Sequence, residues 1–286
     1  MLASCKSRKR LVAAVVRLTI TTGAPNACRY LNSAFFGSPD RGTQAIGRQP
    51  WLWAYLLGLG VGSLLWNLVA LALHPLLPEA TGRRIGRAAI AYGYRFYWFT
   101  TGLGRLVVID ASALDPLADE PGGLVIAANH PSMVDALAIV SRLPRGFCIM
   151  KASLMRNPFL AAGARLARYA ANDSPRDMLQ VAVNGVRDGG HLVLFPEGTR
   201  TIGHGLNRFM PGVSTIAHRA NVPIQTVLID AESPYLGKGW PIWKASPLPM
   251  RFRLRLGRRF EPSTDYQGQL AELEAYFRSE LKPSRR

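Results

Sequence analysis

The chain has 286 residues and a mass of 31.3 kDa, enough for one substantial core, or one core with an appendage. Thirty-five lysines and arginines stand against 18 acids, a net charge of +17 with a pI near 10.6, so its expected partners are polyanions: nucleic acid or anionic lipid headgroups. No recognition-helix pattern, zinc spacing or aromatic-basic RNA motif is present, and the basic residues gather at both ends of an apolar segment; this favours lipid over nucleic acid.

Residues 1–48 form a basic arm that begins KSRKR-rich, with the apolar run Leu11 to Val16 interrupted by Arg17. A secretory signal needs a longer uncharged stretch, so the arm is expected to be poorly ordered or peripheral. Residues 49–105 read as a membrane-anchoring unit. Pro50 to Leu73 carries no charge and is just long enough for a bilayer core of about 20 apolar residues. Trp51, Trp53 and Tyr55 at one end and His74-Pro75 at the other are placed as interfacial anchors. Arginines lie on both sides, at Arg48 and at Arg83, Arg84 and Arg87, so the positive-inside rule does not choose an orientation. One span and a re-entrant or in-plane anchor both fit. Arg83 to Arg105 is rich in aromatics and arginines and reads as an amphipathic interfacial helix, with the arginines expected on lipid phosphates. An ordinary core-packing helix fits the same pattern.

Residues 106–286 alternate short apolar runs with helical stretches. Candidate strands are Leu106–Asp110, Leu124–Ala128, Gly146–Met150, His191–Phe195, Ile224–Asp230 and Arg251–Gly257. Helical patterns fall near Val134–Leu143, Ser153–Ala167, Pro175–Asp188, Gly212–Ala220 and Tyr266–Lys282. Ser174-Pro175-Arg176-Asp177 reads as a helix start with a capping box. The fold class is therefore α/β, a mostly parallel or mixed sheet flanked by helices, with a membrane-anchoring helical segment before it. Arg251 to Leu256 alternates charged and apolar residues, which suggests a half-exposed edge strand.

Two polar clusters follow two of these strands, where open α/β sheets keep their ligands. The first is Asn129-His130-Pro131-Ser132-Met133-Val134-Asp135. A neutral imidazole is the usual general base near neutral pH, and a carboxylate on its other ring nitrogen fixes the tautomer. A turn through Pro131 and Ser132 into a helix starting near Met133 would fold Asp135 back to the ring. The bland alternative is a loop histidine followed by an aspartate favoured at a helix N-terminus. The second cluster is Phe195-Pro196-Glu197-Gly198-Thr199-Arg200. Arg200 can clamp a phosphate bidentately, and Gly198 lets the backbone approach an anion. Glu197 would either hold Arg200 in place or accept from a substrate hydroxyl. A polar turn with an internal ion pair is the plain reading of the same residues.

NHPSMVD followed by FPEGTR resembles the glycerolipid acyltransferases of the lysophosphatidic acid acyltransferase type, whose signatures are NHxxxxD and FPEGTRS-like. The likeness runs from about Leu106 to Glu261. It implies that His130 deprotonates the acceptor hydroxyl, with Asp135 as its orienter, and that the alkoxide attacks an acyl thioester with no acyl-enzyme. Glu197, Gly198, Thr199 and Arg200 would hold the acceptor's phosphate and glycerol. Lys151 to Pro158 looks like the family's segment after the third core strand, and Val222-Pro223-Ile224 like its final apolar motif. The chain departs from the pattern in three places: Asn172 stands near where many members have an arginine, Met210 where a basic residue is common, and Gln225 in place of a second proline. The resemblance implies a membrane-bound O-acyltransferase of the inner (cytoplasmic) membrane, with its catalytic domain facing the cytoplasm. Its donor would be an acyl-CoA or acyl-carrier protein and its acceptor a lysophospholipid such as 1-acylglycerol-3-phosphate, on an anionic membrane surface.

Two alternatives stand beside that expectation: a non-catalytic lipid-binding or lipid-transfer protein on a degenerate core, and an acyltransferase for a non-glycerophosphate lipid. No cofactor or metal is expected. His191, His204 and His218 lack metal-ligand spacing, and Cys5, Cys28 and Cys148 show neither pairing nor ligand spacing, which fits a reducing compartment. Cys148, inside an apolar strand, reads as buried and inert.

Overall fold

The computed structural model describes residues 49–201, 206–233, 235–240 and 248–281; the basic arm over 1–48 and His204 lie outside them. Two long helices come first, α1 (Gln49–Leu76) and α2 (Glu79–Leu103). The remaining elements follow in the order β1 (Val107–Asp110), β2 (Leu124–Ala128), α3 (Val134–Val140), β3 (Gly146–Met150), α4 (Ala161–Leu166), β4 (Ala170–Ala171), α5 (Pro175–Arg187), β5 (His191–Leu194), α6 (Gly212–Ala220), β6 (Ile224–Ala231), β7 (Met250–Phe260) and α7 (Tyr266–Glu280). Ser174 caps α5 as its sequence suggests, its hydroxyl accepting from Asp177 N at 3.3 Å.

The strands form one seven-stranded sheet in the order β1-β7-β6-β2-β5-β3-β4. From β6 to β4 all neighbours are parallel, while β7 runs antiparallel to β6 and parallel to β1. Because strand side chains alternate faces, β2 feeds two separate cores. Leu124, Ile126 and Ala128 pack with Val134 and Ile139 of α3, whereas Val125 and Ala127 pack with Val186 of α5, Ile216 of α6 and Phe277 of α7.

Two expectations need correcting. Arg251–Gly257 belongs to β7, which is half-exposed but is not an edge strand: Met250 to Arg253 pair with β1 on one side, and β6 lies on the other. The four-residue β1 stops opposite Arg253, so the pairing with β1 covers only the first part of β7, and the charge alternation from Arg251 to Leu256 spans both parts. The single helix expected over Ser153–Ala167 is a 3₁₀ turn (Ala152–Arg156) followed by the short α4. Asn157, extended at ψ 124°, separates them, because the ring of Pro158 disfavours helical backbone at the preceding residue.

The arginines of α2 also differ from expectation. Arg87 is buried, its Nε donating to Ala167 O at 3.0 Å and its guanidinium 4.2 Å above the Phe147 ring; burial pulls its pKa down to about 10. Arg83 pairs with Asp188 and Arg95 with Asp115. These three fasten α2 to the core instead of reaching outward. The packing is close enough that a Cβ on Gly86 would lie 2.7 Å from Ala167 N. Arg84 is exposed, and beside it α2 presents an apolar stripe outward: Ile85, Tyr92, Phe96, Phe99 and Leu103, at helical spacing.

Helix α1 includes the one stretch, Pro50–Leu76, long and apolar enough among the described residues to cross a membrane. Leu57, Val61, Leu64, Leu68 and Leu71 are exposed along one side. Its other side touches the core at both ends. Leu52 joins the α3-side apolar cluster. Asn67, buried, donates to Ser63 O and Phe159 O and accepts from Ala162 N and Gly163 N at the start of α4.

Candidate active site

Register brings the two polar clusters together. β2 and β5 are parallel neighbours with Ala127 beside Leu194, so Asn129-His130 and Pro196-Glu197 leave the sheet side by side. Asn129 extends the sheet by one side chain: its Nδ2 donates to Ile229 O at 3.0 Å and its Oδ1 accepts from Ile229 N at 2.8 Å. That clip fixes where the chain turns out of β2.

The turn through Pro131 and Ser132 brings Asp135, at the start of α3, back to His130. Asp135 Oδ2 lies 3.0 Å from His130 Nδ1 and accepts from Ser132 N at 2.6 Å. A carboxylate oxygen that already accepts requires Nδ1 to carry the proton, which leaves Nε2 as the basic nitrogen. Phe195 stacks on the imidazole, with centroids 3.9 Å apart and planes 16° from parallel, and fixes its rotation. Asp135 is fully buried, and this desolvation pushes its pKa up to about 6 even though the His130 and Ser132 hydrogen bonds pull the other way. The carboxylate therefore supports the imidazole only above roughly that pH.

The second cluster divides its roles differently from expectation. Glu197 is buried and is not paired with Arg200. Its Oε1 accepts from His130 N at 3.1 Å and Thr201 Oγ1 at 2.7 Å, and its Oε2 accepts from Asn207 N at 3.0 Å. It staples three segments, and Thr201 N adds a bond to His130 O at 2.8 Å. Gly198 and Thr199 are exposed. Gly198 has φ +66°, and a Cβ there would meet Met210 Sδ at 2.7 Å, so an exposed methionine lies on this turn. Arg200 is half-buried; its Nη1 donates to Leu236 O and Gly237 O at 2.8 Å each, which leaves the Nε–Nη2 edge for an anion.

Asn172 is structural: its Oδ1 accepts from Ala152 N at 2.9 Å, beside the exposed Lys151. Of the arginines near it in sequence, Arg168 pairs with Glu79 at 3.4 Å and Arg176 is exposed. Cys148 is a free, buried thiol whose pKa burial raises to about 12. His191 is buried in β5, its pKa pulled down to about 4 by burial, and His218 Nδ1 lies 2.9 Å from Ser263 O. The reading from residues missed the segment Tyr235–Trp240, which contacts both clusters through backbone carbonyls. Its only signal in the sequence is Gly237 and Gly239 around Lys238.

An imidazole–carboxylate pair at the end of one parallel strand thus lies beside a glycine turn at the end of the next, in an open α/β sheet. Comparison with known proteins gives this arrangement a class. Residues 111–230 match the family model described as Acyltransferase. A 1-acyl-sn-glycerol-3-phosphate acyltransferase of Cocos nucifera is 27% identical over 183 residues, 62% of this chain and 56% of that protein. One from Pseudomonas aeruginosa is 23% identical over 192 residues, 65% of this chain and 72% of that protein. The crystal structure of the 1-acyl-sn-glycerophosphate acyltransferase PlsC of Thermotoga maritima shares the fold, with a TM-score of 0.63 at 20% identity over 83% of this chain and 97% of that one. Over the matched region the chain is thus similar to acyltransferases of the lysophosphatidic acid acyltransferase type, and it shares their fold. It spans little more than half the length of the coconut protein.

Proposed function

We propose that this protein transfers a fatty acyl group from an acyl-CoA or acyl-carrier-protein thioester to the hydroxyl of a lysophospholipid such as 1-acylglycerol-3-phosphate. The observation that carries the reading is the His130–Asp135 contact at 3.0 Å, which assigns the basic lone pair to Nε2. Nε2 takes the acceptor's hydroxyl proton while the alkoxide bonds to the thioester carbonyl. The tetrahedral adduct then expels the thiol, which leaves with the proton from the imidazolium. No acyl-enzyme forms. The exposed Gly198-Thr199 turn and the Nε–Nη2 edge of Arg200 receive the phosphate and glycerol, and Glu197 holds that turn against His130. Met210 on Gly198 makes one wall of the turn apolar.

The enzyme works on a membrane, and we place it on the cytoplasmic face of the inner membrane. Support comes from the exposed apolar sides of α1 and α2. Leu52 and Asn67 of α1 both engage the catalytic core, about 22 Å apart along the helix. A helix gripped over that length cannot cross about 30 Å of hydrocarbon without drawing α4, with Arg165, after it. The anchor therefore lies in the plane of one leaflet.

The deciding experiment is acyl transfer in detergent-solubilised membranes, offering labelled acyl-CoA or acyl-carrier protein with a panel of lyso-lipids, for wild type and His130→Ala. Loss of about 10²–10⁴-fold in the variant is the expectation for a general base. Activity untouched by His130→Ala would remove the mechanism, and no turnover with any pair would favour a lipid-binding role.

A further inference from the structure

The loop Tyr235–Trp240 follows β6 and lies outside both sequence motifs. Both clusters hold it: Ser132 Oγ donates to Tyr235 O at 2.8 Å, Met133 N to Leu236 O at 3.1 Å, and Arg200 Nη1 to Leu236 O and Gly237 O. Ser132 and Met133 lie between the base and its orienter, so the loop is locked to the dyad as well as to the turn. Its far end is fixed too, since Trp240 packs against the α3-side core. The backbone is held in an unusual path, with Leu236 at φ +56° and Gly239 at φ +82°. Trp240 N donates to Gly237 O at 3.1 Å, closing a four-residue turn with positive φ at its third residue, the position where a type II turn requires glycine. Lys238 sits at the apex and is exposed.

Charge gives this construction its meaning. Arg200 spends Nη1 on two neutral carbonyls, so its charge is positioned without being neutralised. Neither Arg200 nor Lys238 has an ion-pair partner among the described residues, and the adjacent carboxylate, Glu197, is occupied by three neutral donors. The strand ends thus present two uncompensated cations on segments bonded to each other. A phosphate monoester carries about −1.5 to −2 near neutral pH, more than one guanidinium edge balances.

We propose that the loop Tyr235–Trp240 completes the acceptor subsite, with Lys238 as a second phosphate-binding cation beside Arg200 and Arg200 also serving to position the loop. This rests on the reading that the acceptor is a phosphorylated lyso-lipid. The test uses the full chain in detergent, as wild type, Lys238→Ala and Lys238→Arg, with lysophosphatidate (a monoester) and lysophosphatidylglycerol (a diester) as acceptors. Lys238→Ala should raise the KM for lysophosphatidate about tenfold, with kcat at saturation within about threefold and the donor KM unmoved. Its effect on the diester should be smaller, and Lys238→Arg should restore most of the loss. A lysophosphatidate KM within twofold of wild type, or an equal rise in the donor KM, overturns the assignment while leaving the acyltransferase reading intact. A wild type that acylates neither acceptor instead overturns the phosphorylated-acceptor reading, and the assignment with it, before any variant is compared.

Discussion

Replacing Asp135 with asparagine separates the two effects of a buried carboxylate. Burial raises the Asp135 pKa from 3.8 to about 6, so ionising it costs the folded state. A raised folded-state pKa contributes stability below the unfolded value and loses it as pH climbs through about 6. Two pKa units correspond to about 3 kcal/mol. Asparagine escapes that cost but buries an amide N–H₂ where Oδ1 now has no partner, a pH-independent penalty of about 1–3 kcal/mol. The stability of Asp135→Asn relative to wild type should therefore rise by about 3 kcal/mol between pH 4 and pH 8, roughly 6–12 °C in the melting midpoint. Activity moves the other way. With its carbonyl toward Ser132 N the amide keeps the tautomer but loses the charge that steadies the imidazolium. Turned over, it donates to Nδ1 and moves the ring proton to Nε2, which disables the base. The kcat/KM should fall about 10²–10⁴-fold. In wild type kcat/KM should decline below about pH 6 as Asp135 protonates and ceases to support the imidazole. Thermal unfolding and acyl transfer across pH measure both effects; a stability difference that ignores pH, or activity within threefold of wild type, refutes the reasoning.

Glu197→Gln offers one carbonyl to three donors, so the melting midpoint should drop by the equivalent of about 1–3 kcal/mol, with kcat falling as the His130 segment loosens. A variant that matches wild type in both would show the staple to be dispensable. Gly198→Ala forces a side chain onto φ +66° and against Met210 Sδ, a cost of about 1–2 kcal/mol from the backbone alone. Adding Met210→Ala should recover the contact but not the backbone part; full recovery of the midpoint would refute that division. Asn67→Ala strips the Phe159 carbonyl and the Ala162 and Gly163 N–H groups of their shared partner, and limited proteolysis should then cut faster around Asn157–Leu166. Unchanged cleavage would mean that α1 docks without it.

The sheet was legible because its strands are short apolar runs bounded by glycines, and because parallel α/β sheets keep polar residues at strand ends. Leu124–Ala128 and Gly146–Met150 coincide with their strands for that reason. β4 escaped notice because two alanines carry no period. The arginines of α2 misled because a guanidinium looks the same in sequence whether it faces lipid or, like Arg87, a phenyl ring and a carbonyl. An acid three residues before an arginine suggested that Glu197 holds Arg200, whereas its partners in the chain are the His130 and Asn207 N–H groups and the Thr201 hydroxyl. The loop at Tyr235 was invisible because it joins the site through main-chain oxygens, which every residue possesses.

Those main-chain contacts also bear on the proposed work at a membrane surface. On the proposed function a lyso-lipid would keep its acyl tail in the bilayer while its headgroup reached His130, which would then have to be held at a fixed depth. Tyr235 of the acceptor loop, Leu52 of the apolar helix and Val134 beside Asp135 all belong to one packed cluster. Close-packed interiors transmit displacement rather than absorb it. A shift of α1 relative to the membrane surface would therefore move the loop, the turn and the dyad as one body. Helix α2 is fastened independently through Arg83, Arg87 and Arg95, which leaves its apolar stripe facing outward with no freedom to roll. In this fold α1 is packed into the geometry of the candidate site, and on the proposed function the apolar faces would set the height at which the acceptor hydroxyl meets His130.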